Sequence, residues 1–445
     1  MSVWSATVTR SEDGAIVVGG YDVRDLAGKF GTPLYVIDEV DMRARVSAFR
    51  DHFTAAFGRH GAKCDVFYAS KSFLSSRVAR WMLDEDVNMD VASGGELEIA
   101  LRGGMPAERL ALHGNNKSDA EMQRALEVGV GRIVLDSLDE IAVLDAIAGE
   151  LGAVAPVMVR VTTGVHAGGH EYIATAHEDQ KFGLSLATGA ALEALRRVHA
   201  AEHLELQGIH THIGSQILSI EAFRESAERM LRLRATFAAE TGVEMPEVDL
   251  GGGYAIAYTP DAEALEARTA AFEIADAVAD ALAEAGGSWP RFSIEPGRAI
   301  SGPAGMTLYR VGVVKRVELD EGGTRTYVAV DGGMSDNMRP ITYGADYTAA
   351  LAARESSAEP ALSRVVGKHC ESGDIVVRSV DLPSDVARGD LLAVPATGAY
   401  GRVMSNNYNA LLRPAVVSVR DGEATLHVRR DTLEDLLSWD VAPDA

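Results

Sequence analysis

At 445 residues the chain is roughly three times a typical single domain, and 47% of it is apolar, enough for a sizeable core. A net charge of -23 excludes partners held by anionic surfaces, nucleic acid and acidic membrane alike, although a pocket can still be locally basic. No run of about 18 apolar residues and no basic-then-apolar leader pattern occurs, and two cysteines, Cys64 and Cys370, make no disulfide framework, so the expectation is a soluble cytoplasmic protein.

Near the N-terminus, "AIVVGGYDV" and "PLYVID" read as strands. From residue 64 to 298 one unit repeats: a short β-branched or apolar run, a polar or glycine turn, then a segment of helical period. The runs are "CDVFYASK" (64–71), "VNMDVAS" (87–93), "RLALHG" (109–114), "RIVLDS" (132–137), "PVMVRVTT" (156–163), "LQGIHTHIGS" (206–215), "VDLGGG" (248–253) and "RFSIEPGR" (291–298). Ser93 with Glu96, Ser118 with Glu121 and Ser137 with Glu140 read as capping boxes, in which each glutamate reaches back to its cap's own N–H. Eight strand-helix units predict a closed, α/β (β/α)8 TIM-type barrel over 37–305; an open doubly wound sheet is the alternative. After residue 305 strands follow one another with little helix between them. Residues 1–36 and 306–445 are therefore expected to form a discontinuous, mostly antiparallel β-sandwich or barrel domain.

Barrel chemistry sits where the C-terminal strand ends open into loops. The polar residues expected there are Lys71, Asp90, His113, Asp136, His210, His212, the glycines 251–253, Glu295 and Arg298. Lys71 is one of only seven lysines among 42 lysines and arginines. At the tip of an apolar strand its ammonium either snorkels to solvent or, partly desolvated, becomes a nucleophilic amine. The triplet Gly251–Gly253 offers bare N–H groups to a phosphate, with Ser215 and Arg298 placed to complete the site, and Arg298 is also the plain ion-pair partner for Glu295. His210 and His212, two apart on a strand, point the same way and with His113 and Asp136 make zinc a rival. The metal reading leaves Lys71, the glycines and Glu295 without roles. A pyridoxal phosphate anchored on Lys71 employs all of them.

In order, "YASK", "HIGS", "GGG", "EPGR", "CESGD" and "GAYG" resemble the fold-type III pyridoxal-phosphate-dependent decarboxylases over nearly the whole chain. Within that family the chain is similar to the members that convert meso-2,6-diaminopimelate to L-lysine and carbon dioxide, the last step of lysine biosynthesis. The resemblance implies that Lys71 carries the cofactor, His212 stacks on its ring and Glu295 engages the ring nitrogen, where racemases of this fold place an arginine. It places Ser215, Gly252, Gly253, Arg298 and Tyr400 around the phosphate, adds Asp90 and Gly297 to the cofactor-binding set, and no metal. Arg298, Arg339 and Tyr343, with Tyr400, match the grip on substrate carboxylates. Cys370 matches the proton donor and Glu371 the reader of the distal amino group, both lent by the partner subunit of an obligatory homodimer. Ornithine-type relatives carry aspartate after the cysteine. The stretch 160–183 also matches, but departs at Gly168 and Gly169, as does Tyr254 after the triplet. Other readings are decarboxylation of ornithine, arginine or a modified diamino acid, a silent regulatory homologue, and a metal-dependent barrel hydrolase.

Overall fold

The computed structural model describes residues 3–165 and 181–441. Gly168 and Gly169 lie outside the described residues. The chain forms two compact units, one of Arg45–Ala255 with Ala264–Ala299, the other of Met1–Ala44, Ile256–Glu263 and Ile300–Ala445. Strand β1 (Leu34–Asp38) belongs to the second unit and is buried along its whole length.

The first unit is a barrel of eight parallel strands: β2 (Cys64–Ala69), β3 (Asn88–Val91), β4 (Leu110–Leu112), β5 (Arg132–Leu135), β6 (Ala155–Thr162), β7 (Leu204–His210), β8 (Glu247–Asp249) and β9 (Arg291–Ile294). Each pairs with the next in chain order. β9 then returns to β2 through Phe292 opposite Cys64 and Ile294 opposite Val66, which closes the ring. The open-sheet alternative is therefore wrong, and the near-continuous burial of β2 and β5 reflects a sheet covered on both faces.

Helices α1 (Gly94–Arg102), α2 (Asp119–Val128) and α3 (Leu138–Leu151) start at Ser93, Ser118 and Ser137, whose side chains accept the N–H three residues on. The reciprocal half of the expected motif forms only at Ser118. Glu96 accepts instead from Ala92 N–H (2.7 Å) and Glu140 from Asp136 N–H (2.8 Å), one residue before the cap. The backbone decides this: Ser93 and Ser137 are fully extended, at φ -162° and -147°, whereas Ser118 lies at -72°. Each glutamate also reaches the preceding unit. Glu96 accepts the Ser70 hydroxyl at 2.9 Å, Glu121 the Gly94 N–H at 2.7 Å, and Glu140 the buried Lys117 ammonium at 2.9 Å. One rim of the barrel is thus laced loop to loop.

The second unit adds β10 (Gly305–Glu318), β11 (Thr324–Val330), β12 (Pro360–Val366), β13 (Ile375–Pro383), β14 (Leu391–Pro395), β15 (Ala415–Arg420) and β16 (Glu423–Val428). Its sheet runs β13-β12-β11-β10-β1-β15-β16, with β14 against β10. Pairing is antiparallel except for β11 with β12 and β1 with β15. Leu34 and Val36 of β1, Met306 and Leu308 of β10, and Val417 and Val419 of β15 share its core. Among the described residues no helix is long and apolar enough to cross a membrane.

Removing one partner of a buried ion pair leaves the other charged without compensation, at a cost of about 3–5 kcal/mol. Lys117→Met should therefore lower the thermal midpoint markedly. The double variant with Glu140→Gln, which keeps an acceptor for Asp136 N–H, should recover most of the loss in the same melting experiment.

Candidate active site

The ends of the barrel strands build a compact polar centre. Glu295, just past β9, is 4% exposed. His210, the last residue of β7, places Nε2 3.2 Å from Glu295 Oε2, and His113, after β4, places Nε2 3.0 Å from Oε1. The second contact is out of line for a hydrogen bond, so Oε1 and His113 Nε2 stay buried without an aligned partner. Burial by itself disfavours the carboxylate's charge, but the two imidazoles outweigh it and hold Glu295 well below the usual carboxylate range. Burial also lowers His113 and pushes His210 down to about 4, so both rings are neutral near pH 7.

His212 does a different job. Its Nδ1 accepts the Gly252 N–H at 3.2 Å, which leaves the proton of the neutral ring on Nε2. Burial and the nearby Lys71 charge push it well below its ordinary value, consistent with that tautomer. The pair expected to act together as metal ligands is therefore divided between Glu295 and Gly252. Asp136 is committed elsewhere, accepting the Gly183 N–H at 3.1 Å and facing Arg160 at 3.7 Å. The compact donor set that does form is His113, His210 and Glu295, with ligand atoms within 4.8 Å of one another.

Lys71 lies on a short turn, Ser70–Ser72, directly after β2. Of the two settings open to it, desolvated or exposed, its side chain takes the exposed one. What surrounds it is a rigid seat. Asp90, buried at the end of β3, accepts the Ser70 N–H at 3.2 Å, and Ser72 is pinned through its hydroxyl to Ala69 O at 2.9 Å. Burial, with Glu295 nearby, raises Asp90 well above the carboxylate range. Gly297 passes close enough to β2 that a Cβ would sit 2.8 Å from that of Ala69.

After β8, Asp249 accepts the Gly251 N–H at 2.8 Å and so turns the glycine loop. A Cβ on Gly252 would lie 2.1 Å from the Glu295 carbonyl, and one on Gly253 would lie 2.5 Å from the Gly214 carbonyl at φ +110°. Only glycine fits either place. Beside this loop the Arg298 guanidinium donates to Ser215 Oγ at 2.8 Å. Tyr254 leaves the loop for an aromatic cluster, stacked on Phe223 at 5.3 Å and tilted against Phe49 at 5.2 Å. Its departure from the family pattern is thus a packing feature of the barrel wall.

The remaining candidates sit in the β unit. Arg339, 5% exposed, donates to the Tyr347 hydroxyl at 2.5 Å and lies 4.4 Å from the centre of the Tyr258 ring. These aromatics hold its charge firmly, and Tyr400, in a left-handed conformation at φ +59°, adds to the field around it. Tyr343 ends the same short helix, half-buried. Cys370 and Glu371 are exposed. Sequence reasoning missed Tyr258, Tyr347 and Arg160. The only signal for Arg160 was a lone arginine inside "PVMVRVTT", and nothing local marks the two tyrosines.

The barrel centre fits pyridoxal phosphate. Glu295 Oε1 is a buried acceptor lacking an aligned donor, suited to a protonated ring nitrogen, and Ser215, Arg298 and the cleared Gly252–Gly253 backbone make an anion cradle.

A family profile described as pyridoxal-dependent decarboxylase, pyridoxal binding domain, matches residues 41–302. The chain is 49% identical over 439 residues to a diaminopimelate decarboxylase of Corynebacterium efficiens, covering 99% of this chain and 94% of that protein. It is 49% identical over 444 residues to the Mycobacterium tuberculosis protein of the same name, covering 99% and 98%. Among solved structures, diaminopimelate decarboxylase from M. jannaschii in complex with L-lysine superposes with a TM-score of 0.89 at 31% identity, covering 100% of this chain and 99% of that one.

A pH dependence follows from His210, whose ordinary value of 6.5 falls to about 4 in the folded protein. Between those values the unfolded chain takes up a proton that the folded chain refuses, so stability present above pH 6.5 is lost as pH falls towards 4. Urea midpoints measured across this window should decline, and His210→Gln should flatten the slope.

Proposed function

The chain belongs to the pyridoxal-dependent decarboxylases, and within them to the diaminopimelate decarboxylases, and from that premise we propose how its residues divide the conversion of meso-2,6-diaminopimelate to L-lysine and carbon dioxide. The observation that carries the assignment is the buried carboxylate Glu295, kept ionised with one oxygen lacking an aligned donor, on the same barrel rim as Lys71 and the glycine cradle. A racemase-type site would present an arginine at that point.

Lys71 anchors the cofactor covalently, and its exposure leaves the amine reachable. Asp90 and Ser72 keep its turn in place. Gly252, Gly253, Ser215 and Arg298, with Tyr400, take the phosphate, and Gly297 gives the chain room to pass. Glu295 would engage the ring nitrogen and keep it protonated. When bound, the cofactor supplies the electron sink for the pair released with carbon dioxide. His212, its Nδ1 occupied by the Gly252 N–H, would pack against the cofactor ring with the plane of its imidazole oriented by that bond. Arg298 and Arg339, with Tyr343 and Tyr400, hold substrate carboxylates. Arg339 suits this because its aromatic surroundings leave its fork pre-oriented.

We further propose a homodimer in which Cys370 and Glu371 serve the partner's barrel: Cys370 delivers the proton to the carbon that lost its carboxylate, and Glu371 reads the distal ammonium. Their exposure supports this. So does the state of the other cysteine, Cys64, which is buried and whose thiol burial pushes well above its ordinary value, making it a poor acid. We place the reaction in the cytoplasm, where two free thiols stay reduced.

Purified protein with added pyridoxal phosphate should show visible absorbance that Lys71→Ala abolishes, and should release carbon dioxide from meso-diaminopimelate in preference to ornithine or arginine. A colourless protein that takes up no cofactor, or a preference for ornithine, would overturn the reading. Shortening the distal reader by Glu371→Asp should raise KM for diaminopimelate about tenfold or more, as expected for one charged hydrogen bond lost. Cofactor absorbance in that variant should be unchanged.

A further inference from the structure

Cys370 is exposed, yet the backbone leading into it is held by contacts that the roles assigned above do not use. On the N-terminal side stands His369, whose side chain is fully enclosed. One oxygen of Asp374, Oδ2, accepts both the His369 backbone N–H at 2.8 Å and its Nδ1 at 2.9 Å. The ring lies flat against Tyr408, with centroids 5.8 Å apart and planes 13° from parallel. The next N–H, that of Cys370 itself, donates to Asn409 Oδ1 at 3.0 Å, and Asn409 occupies the left-handed region at φ +53°. A thiol free at its tip on a backbone anchored at two consecutive N–H groups is what one-sided proton delivery needs.

The second oxygen of Asp374 reaches another segment. Oδ1 accepts the Met334 N–H at 2.6 Å. From Met334 the chain turns tightly, the Asp336 and Asn337 N–H groups both donating to Gly333 O at 2.9 and 3.1 Å. Asn337 Oδ1 then accepts the Arg339 N–H at 3.3 Å. A single buried carboxylate, 4% exposed, thus ties the loop of Cys370 to the segment that carries Arg339.

We propose that Asp374, acting through His369, is a positioning residue that holds the Cys370 loop in the conformation that presents the thiol to the partner's barrel, braced through Met334 against the segment that carries Arg339 of its own chain. The proposal rests on Cys370 being the proton donor. It assigns no bond-making step to Asp374 or His369. Three donors converge on two carboxylate oxygens, so the isosteric amide cannot serve all three: its NH2 must face at least one N–H.

The test uses the full-length enzyme loaded with pyridoxal phosphate. In Asp374→Asn, kcat should fall on the order of ten- to a hundredfold, as a displaced donor implies, with KM for diaminopimelate within about threefold. In D2O the parent should place deuterium on one face of the carbon that loses carbon dioxide, and the variant on both faces. A purely structural role would move neither the kcat against KM split nor the stereochemistry. If Asp374→Asn does not fold, His369→Leu and His369→Asn carry the test: the Asn amide nitrogen can replace Nδ1–H, so His369→Asn should lose less kcat and less stereochemical purity than His369→Leu. Equal behaviour of those two, or an Asp374→Asn enzyme of parental kcat and stereochemistry, overturns the proposal. Cys370→Ala separates the two layers. Parental stereochemistry in Cys370→Ala would remove the proton-donor assignment itself, whereas impairment there with none in Asp374→Asn would remove only the positioning role.

Discussion

The site is organised by one buried negative charge. Glu295 sits inside the barrel where a carboxylate should lose its charge, and keeps it because His210 donates to one oxygen and His113 crowds the other. The two imidazoles together outweigh the cost of burying the carboxylate. Its Oε1, without an aligned donor, remains available to a protonated ring nitrogen.

The other groups of the rim follow from the same barrel closure. β7, β8 and β9 are neighbours, so His212 meets Gly252, and the backbone after Gly251 runs against the Glu295 carbonyl. Asp249 and Asp90 use their buried carboxyls on backbone N–H groups of the adjacent loops, the glycine turn and the Lys71 turn. The glutamates Glu96, Glu121 and Glu140 extend the pattern by tying each loop to the one before it. Precision at Lys71 therefore comes from polar contacts between consecutive units, not from burial of the lysine.

Much of the site was legible because its residues stand in recognisable local settings. Lys71, Glu295 and the glycines each end an apolar run, although the carbonyls that require glycine at 252 and 253, those of Glu295 and Gly214, lie on other strand ends. What stayed open were inferences from one residue's surroundings. A lysine at a strand tip could be desolvated or exposed, and on the turn Ser70–Ser72 the side chain is exposed. Two histidines on alternate positions made a shared metal a rival, and their partners, after different strands, divide them. The reciprocal capping contact was expected three times and forms once, because φ at the cap, which no residue type dictates, selects the N–H that the glutamate meets.

Composition and periodicity alone determined the number of strand-helix units and the separation of a strand-rich C-terminal part, since these depend on local alternation of apolar and polar residues; closure of the ring was decided by the pairing of β9 with β2. The ordered motifs determined the family. Only the tertiary structure decided which groups meet: His210 with Glu295, 85 residues apart, Arg339 with the ring of Tyr258 and the hydroxyl of Tyr347, and Asp374 with Met334. Such pairings follow from ring closure and sheet register. Those are properties of the whole chain, and no window of sequence around either partner contains them.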